Sequence, residues 1–142
     1  MTPNELLDGL SSRIREVGQV TATTDPSATV VVPMAVVTDG DITYHDTMVP
    51  RGLYGVDVVV TLYVSLADNE QGKIEARNYR ANSGTNSVAG AVETSLGTDD
   101  PLDGINTIVC RSSSVGIVTS PSGEAYTAVR FEITAHIPGE TA

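Results

Sequence analysis

The sequence predicts a single α+β domain, a mostly antiparallel β-sheet with helices packed on one face. Three observations predict it. The run LYGVDVVVTLYVSL alternates apolar and polar residues, as a half-buried strand does. A second alternating run, AYTAVRFEITAHI, follows the turn sequence SPSGE and so pairs back on the segment before it. Three other stretches place apolar residues at helical spacing.

The first element is a helix over 3–17. Thr2 can cap it, Pro3 suits the first helical position, and Glu5 can complete a capping box. Leu6, Leu7, Leu10, Ile14 and Val17 share one face, and Gly18 is a stop signal. From Gln19 to Pro50 the pattern is broken. Pro33 interrupts TVVVPMAVV, which predicts an edge strand or two short pieces. TDGDITYHDTMVPRG reads as a long exposed loop with a short strand at Ile42–Tyr44. Loops of that length in small domains are usually functional or mobile.

The strongest strand is Leu53–Leu66. Val56, Val58, Val60, Leu62 and Val64 form one face; Asp57, Val59, Thr61, Tyr63 and Ser65 form the other. Its length predicts a bend or a projection beyond its own sheet. Asp68, with Gln71 as capping-box partner, opens a second helix running to about Asn82. Its apolar residues, Ile74, Ala76, Tyr79 and Ala81, predict a surface helix with a narrow buried stripe. After Gly84 a third helix starts near Thr85 or Asn86, with Val88, Ala91, Val92 and Leu96 as its stripe. GTDDPLDG then breaks the chain. Strands at 105–119 and 125–137 form the final hairpin. In the second of these, Val129, Phe131, Ile133, Ala135 and Ile137 face one way and Arg130, Glu132, Thr134 and His136 the other. That is a sheet with one covered and one polar face. One domain therefore spans 1–142: the helix at 3–17, a sheet and two-helix core at 20–137, and a short tail at 138–142.

Composition narrows the function classes. The chain has 142 residues, 40% hydrophobic and 18% charged, enough for one core and too apolar for a disordered chain. Eighteen acids against eight bases give a net charge of -10, which repels nucleic acid and anionic membranes. The bases are scattered along the sequence and form no run that could track a phosphate backbone. The single cysteine, Cys110, rules out an internal disulfide and a cysteine zinc cluster. No apolar run is long enough for a membrane helix and no signal peptide is visible, so a soluble protein of a reducing cytoplasm is expected.

The stretch NYRANSGTNSVAGAVE, with two glycines bracketing small and hydroxylated residues, has the look of a phosphate loop or a serine nucleophile. A Walker loop needs lysine directly after its second glycine, whereas Ala91 and Val92 follow Gly90. The dinucleotide spacing is absent as well. Ser87 lacks the flanks of a nucleophile elbow, and the possible bases, His45 and His136, lie far off in sequence; Ser83 and Ser87 read as turn and cap residues. Asp99, Asp100 and Asp103 lack calcium-loop spacing. A chain with no tryptophan and one phenylalanine makes a poor sugar cleft. Cys110 alternates with Ile108 and is expected to be a small buried hydrophobe. No catalytic residue, cofactor or metal ligand is assigned.

Several words in this order resemble the tail terminator proteins of long-tailed phages infecting actinobacteria. They are Tyr44, Arg51 and Gly52 before the long strand, then Val64, Ser65 and Asp68 after it. Tyr79, Ser83, Gly84, Ser87 and Val88 follow at the helix junction, with Gly123 and Tyr126 in the final hairpin. The likeness runs from Ile42 to Ile137. Arg80 departs from it, standing where the family more often has an apolar residue, and RGLYGVD is longer than usual.

The resemblance implies a tail-terminator-like sheet flanked by helices and a virion structural protein without catalysis, assembled in the host cytoplasm. It implies a homohexameric ring that caps the tail tube, stops its polymerisation and joins the tail to the head connector. Its partners would be itself, the tail tube protein and the connector or stopper protein, with DNA only passing through. Candidate interface residues are Tyr44, Arg51, Gly52, Ser120, Pro121, Ser122, Gly123 and Glu124, from loops at 38–53 and 119–124. Six copies at -10 each carry about -60. On that ground some of Asp39, Asp41, Asp46 and Glu124 are expected to face the channel, unless the acids serve solubility alone. The alternatives are another head–tail completion or neck protein, or a small ligand-binding enzyme.

Overall fold

The computed structural model describes residues 3–17, 20–25, 30–43, 53–66, 70–81, 87–93 and 107–138. Its elements are α1 (Pro3–Ile14), β1 (Thr21–Thr23), β2 (Met34–Thr43), β3 (Leu53–Leu66), α2 (Glu70–Tyr79), α3 (Val88–Glu93), β4 (Thr107–Thr119) and β5 (Ala125–Pro138). The strands form one five-stranded sheet in the order β1-β2-β3-β5-β4. Among the described strands the β1–β2 pair is parallel and the other pairs are antiparallel. This is the expected α+β domain with a mostly antiparallel sheet.

The alternation in β3 sets the core. Cross-strand partners share a face. Val60 therefore lies between Val37 and Phe131, and Leu62 between Ala35 and Val129. All six are buried in the main core. Burying one such large aliphatic or aromatic side chain contributes about 1.5–3 kcal/mol. The helices cover this same face: Leu6, Leu10 and Ile14 from α1, Ala76 from α2, and Val88 and Val92 from α3 all join the core. As its composition predicted, α2 lies on the surface, with Ala76 buried while Ile74 is half exposed. α1 stops at Ile14, short of Val17, because the Val17 amide bonds the Ile14 carbonyl at 2.9 Å and tightens the last turn; Val17 still packs into the core.

α3 is too short to hold itself. Ser87 caps its start: its Oγ accepts from the Gly90 amide at 2.8 Å and donates to the Ala81 carbonyl at 2.6 Å. α3 thus begins at Val88 with Ser87 as its cap; Thr85 and Asn86, near which the sequence placed its start, lie outside the described residues. At the other end the buried Arg13 of α1 donates Nη1–H to the Val92 carbonyl. A charged donor there satisfies a carbonyl the helix leaves open.

The structure refines four expectations. The segment after Pro33 is not two pieces, and among the described residues it is an edge only beyond Val36, where β1 ends. β2 is one continuous strand that starts just after the proline, flanked by β1 and β3. The predicted loop at 38–53 is strand up to Thr43 and again from Leu53; 44–52 lie outside the described residues. Asp and Gly argue against a strand, but a bulge between Asp39 and Ile42 absorbs them. Of the two outcomes expected for the long β3, a bend or a projection, the structure has the bulge of a bent strand at Tyr63/Ser65, and β5 pairs with it from Leu53 to Leu66. Finally, the second face is not uniformly polar. Met34, Val36, Tyr63, Tyr126 and Ala128 form a small buried cluster there, at the end of the sheet near the β4–β5 turn.

Two outcomes test this frame. A Cβ at Gly40 would lie 3.3 Å from the Asp57 carbonyl oxygen, on the central strand. Gly40→Ala should therefore cost about 1 kcal/mol in urea unfolding. Arg13→Ala removes a buried charged donor and leaves the Val92 carbonyl unpaired, and should cost about 2–3 kcal/mol by the same measurement.

Candidate interaction surfaces

The β4–β5 turn is the best defined of the predicted interface segments. The Ser120 amide donates to the Glu124 carbonyl at 2.8 Å, and the Gly123 amide to the Ser120 carbonyl at 2.9 Å. Gly123 has φ 93°, which glycine adopts without strain. Ser120 is buried, with its hydroxyl 2.8 Å from that of Ser122; Pro121, Ser122, Gly123 and Glu124 are exposed. The Tyr126 hydroxyl donates to the Glu124 carboxylate at 2.7 Å. That hydrogen bond, with burial and the carboxylate's charge behind it, raises the Tyr126 pKa. The Tyr126 ring meets Tyr63 edge-on, centroids 5.5 Å apart. The tip is thus a shaped projection anchored in the second-face cluster.

The predicted acids do not form one group. Asp39 pairs with Val58 and shares the helix-covered face, whereas Asp41 lines a groove on the other face. That groove, about 210 Å³, also carries Asp57, Arg111, Arg130 and Glu132. Thr134 Oγ1 donates to Asp57 at 3.0 Å, and Arg111 reaches the same hydroxyl at 3.5 Å. Its charges are mixed, so it favours neither anion nor cation. Glu124 sits at the turn just before β5, nine residues from Ile133, the partner of Val58, or roughly 30 Å along the extended chain. Tyr44, Asp46, Arg51 and Gly52 lie outside the described residues.

A groove of about 430 Å³ between α2 and β4 was not anticipated. Val115 and Ile117 form its floor, 41% and 70% exposed; Lys73, Arg77 and Arg80 form its rim. Arg80 donates Nε–H to the Ser113 hydroxyl at 2.8 Å and Nη2–H to the Ser113 carbonyl at 3.1 Å. The bases look scattered along the chain, but spacing of 73, 77 and 80 stacks these three along one helix stripe. That spacing is the signal that could have found them.

The Ser87 and His136 side chains are engaged elsewhere, whereas His45, Ser83, Asp99, Asp100 and Asp103 lie outside the described residues. Both hydrogen bonds of the Ser87 hydroxyl go to backbone, on the helix side of the sheet. His136 alternates with the buried Ala135 and Ile137, so it lies on the opposite side, where Nδ1 is 3.0 Å from the Thr107 hydroxyl. Cys110 is half-buried against the core rather than fully buried. Glu93 accepts its backbone amide at 2.9 Å. Burial, then the Glu93 charge, pushes the thiol pKa up to about 11. Among the described residues no group of three or more His, Cys, Asp or Glu side chains could hold a metal ion, and no helix is long and apolar enough to cross a membrane.

Comparison with protein-family models and with curated proteins found no match.

The raised thiol pKa has a readable consequence. At pH 8, alkylation of Cys110 should run about a hundredfold slower than that of a free thiol, and should accelerate as the pH climbs towards 11. Because the folded state favours the protonated thiol, its contribution to stability is full at neutral pH and is lost as pH rises through that range. Fast alkylation at pH 8 would show the thiol to be activated instead.

Proposed function

We propose that this chain is a phage tail terminator. It assembles as a ring, taken here as a homohexamer, on the finished end of a tail tube. There it stops tube polymerisation and presents a surface to the head connector. One observation carries the reading: the order and spacing of the local words from Tyr44 to Tyr126.

The physical picture is compatible with that role. Ser87 and Val88, the end of the junction word, are the cap and the first buried residue of α3. The word thus describes how the chain turns into a packed helix rather than a site of chemistry. The described surfaces are sheet edges, a shaped turn and shallow grooves, features suited to protein contacts. The net charge of -10 suits a ring through which DNA slides without adhering. In this reading the protein is not an enzyme, takes no cofactor, and resides at the head-proximal end of the virion tail after assembly in the host cytoplasm.

Imaging the purified protein mixed with tail tubes tests the proposal. The expected result is added density at the connector-proximal tip, with overlong, headless tails in a phage lacking the gene. Binding to the head portal alone would favour a neck protein. Saturable nucleotide binding or turnover would favour the small enzyme and end the terminator reading.

A further inference from the structure

Among the described residues the sheet has two open edges, and they differ in character. On one side the outermost described strand is β4, 13 residues long and paired there only with β5. Edge strands of this length are normally blunted by prolines or charges. β4 contains no proline and one charged residue, Arg111, and it exposes Val109, Val115 and Ile117. On the other side β1 covers β2 only at Met34–Val36. Among the described residues no strand lies against Val37–Thr43 on that side. That free stretch carries Asp39 and Asp41 and no base.

The charges beside the two edges are complementary. Lys73, Arg77 and Arg80, three of the chain's eight bases, rim the groove next to β4. Among the described residues no carboxylate pairs with Lys73 or Arg77. Both bases and Asp39 lie on the helix-covered side of the sheet.

We propose that β4 of one copy receives the free half of β2 from the next copy, continuing the sheet from subunit to subunit. The inference rests on the ring reading above and names its contact. The strand directions fit. β4 runs parallel to β3 and β2 antiparallel to it, so a repeated sheet sets β4 and the neighbour's β2 antiparallel.

The register is constrained as well. β1 blocks β2 up to Val36 and β4 ends at Thr119, so Val37 falls opposite Thr119. Asp39 then lies opposite Ile117, beneath Lys73 and Arg77, and the bulge brings Ile42 opposite Val115. All these residues sit on the helix-covered side, as cross-strand partners must. The turn at Ser120–Glu124 abuts the neighbour's β1, which gives that predicted interface segment a partner. Because the two patches differ, the contact is head-to-tail and can close a ring.

Sedimentation of the full chain provides the test. The wild type should assemble into a closed oligomer that weakens with salt. Asp39→Lys, and separately the double variant Lys73→Glu with Arg77→Glu, should each weaken assembly by about tenfold or more, because both oppose like charges across the contact. All three positions are exposed, so folding should persist, and circular dichroism checks it. Combining the three substitutions in one chain should restore assembly, which a folding defect would not do. A monomeric wild type, or an oligomer indifferent to Asp39→Lys, overturns the proposal; the latter would point to a contact between two β4 edges. The terminator reading is scored separately by tube-tip binding. Charge-swap rescue without tip binding would keep this contact and discard that role, and tip binding by an Asp39→Lys ring of unchanged size would do the reverse.

Discussion

The structure depends on the pairing of β3 with strands on both of its sides. β5 runs along it from Leu53 to Leu66, and β2 pairs from Gly55 to Tyr63. Its alternate residues Val56, Val58, Val60, Leu62 and Val64 are all buried. A slip of one residue would turn that row to the other face and bring Asp57 and Thr61 into the core. The register is therefore enforced by burial, and the bulges at Asp39/Ile42, Tyr63/Ser65 and Cys110/Ser112 adjust the strands around it.

The helices are secondary to that sheet. α2 and α3 are short, and α3 stands only because Ser87 and Arg13 satisfy its two ends while Val88 and Val92 reach the core. Such helices cover one face of a five-stranded sheet without covering its edges. Among the described residues this leaves exposed strand backbone, a polar groove, a groove floored by Val115 and Ile117, and a turn.

Much of this was legible in the sequence, because it rested on strict periodicity. The β3 bounds, the hairpin of β4 and β5, and the inward row Val129, Phe131, Ile133, Ala135 and Ile137 follow from a period of two. Ser87 was readable as a cap residue from its chemistry. The misreadings occurred where local preference met tertiary context. Asp39, Gly40 and Asp41 look like a loop because each disfavours a strand on its own, yet pairing with β3 and a bulge override that preference. β1 has three residues, too few to show a period. The cluster of Met34, Val36, Tyr63, Tyr126 and Ala128 joins three strands distant in sequence, so no single segment displays it.

The sequence by itself determined the α+β class, the covered face and the acidic character, since alternation and charge are local properties of the chain. It also carried the family resemblance, which is a property of word order. Tertiary structure decided which edges stay open and what stands beside them. Lys73, Arg77 and Arg80 lie next to Val115 and Ile117 only because α2 packs across β5 and β3, near β4. Asp39 and Asp41 are close in sequence, yet the bulge sends them to opposite faces. Spatial neighbours across a sheet depend on strand order, and strand order is set by the packing of the whole domain.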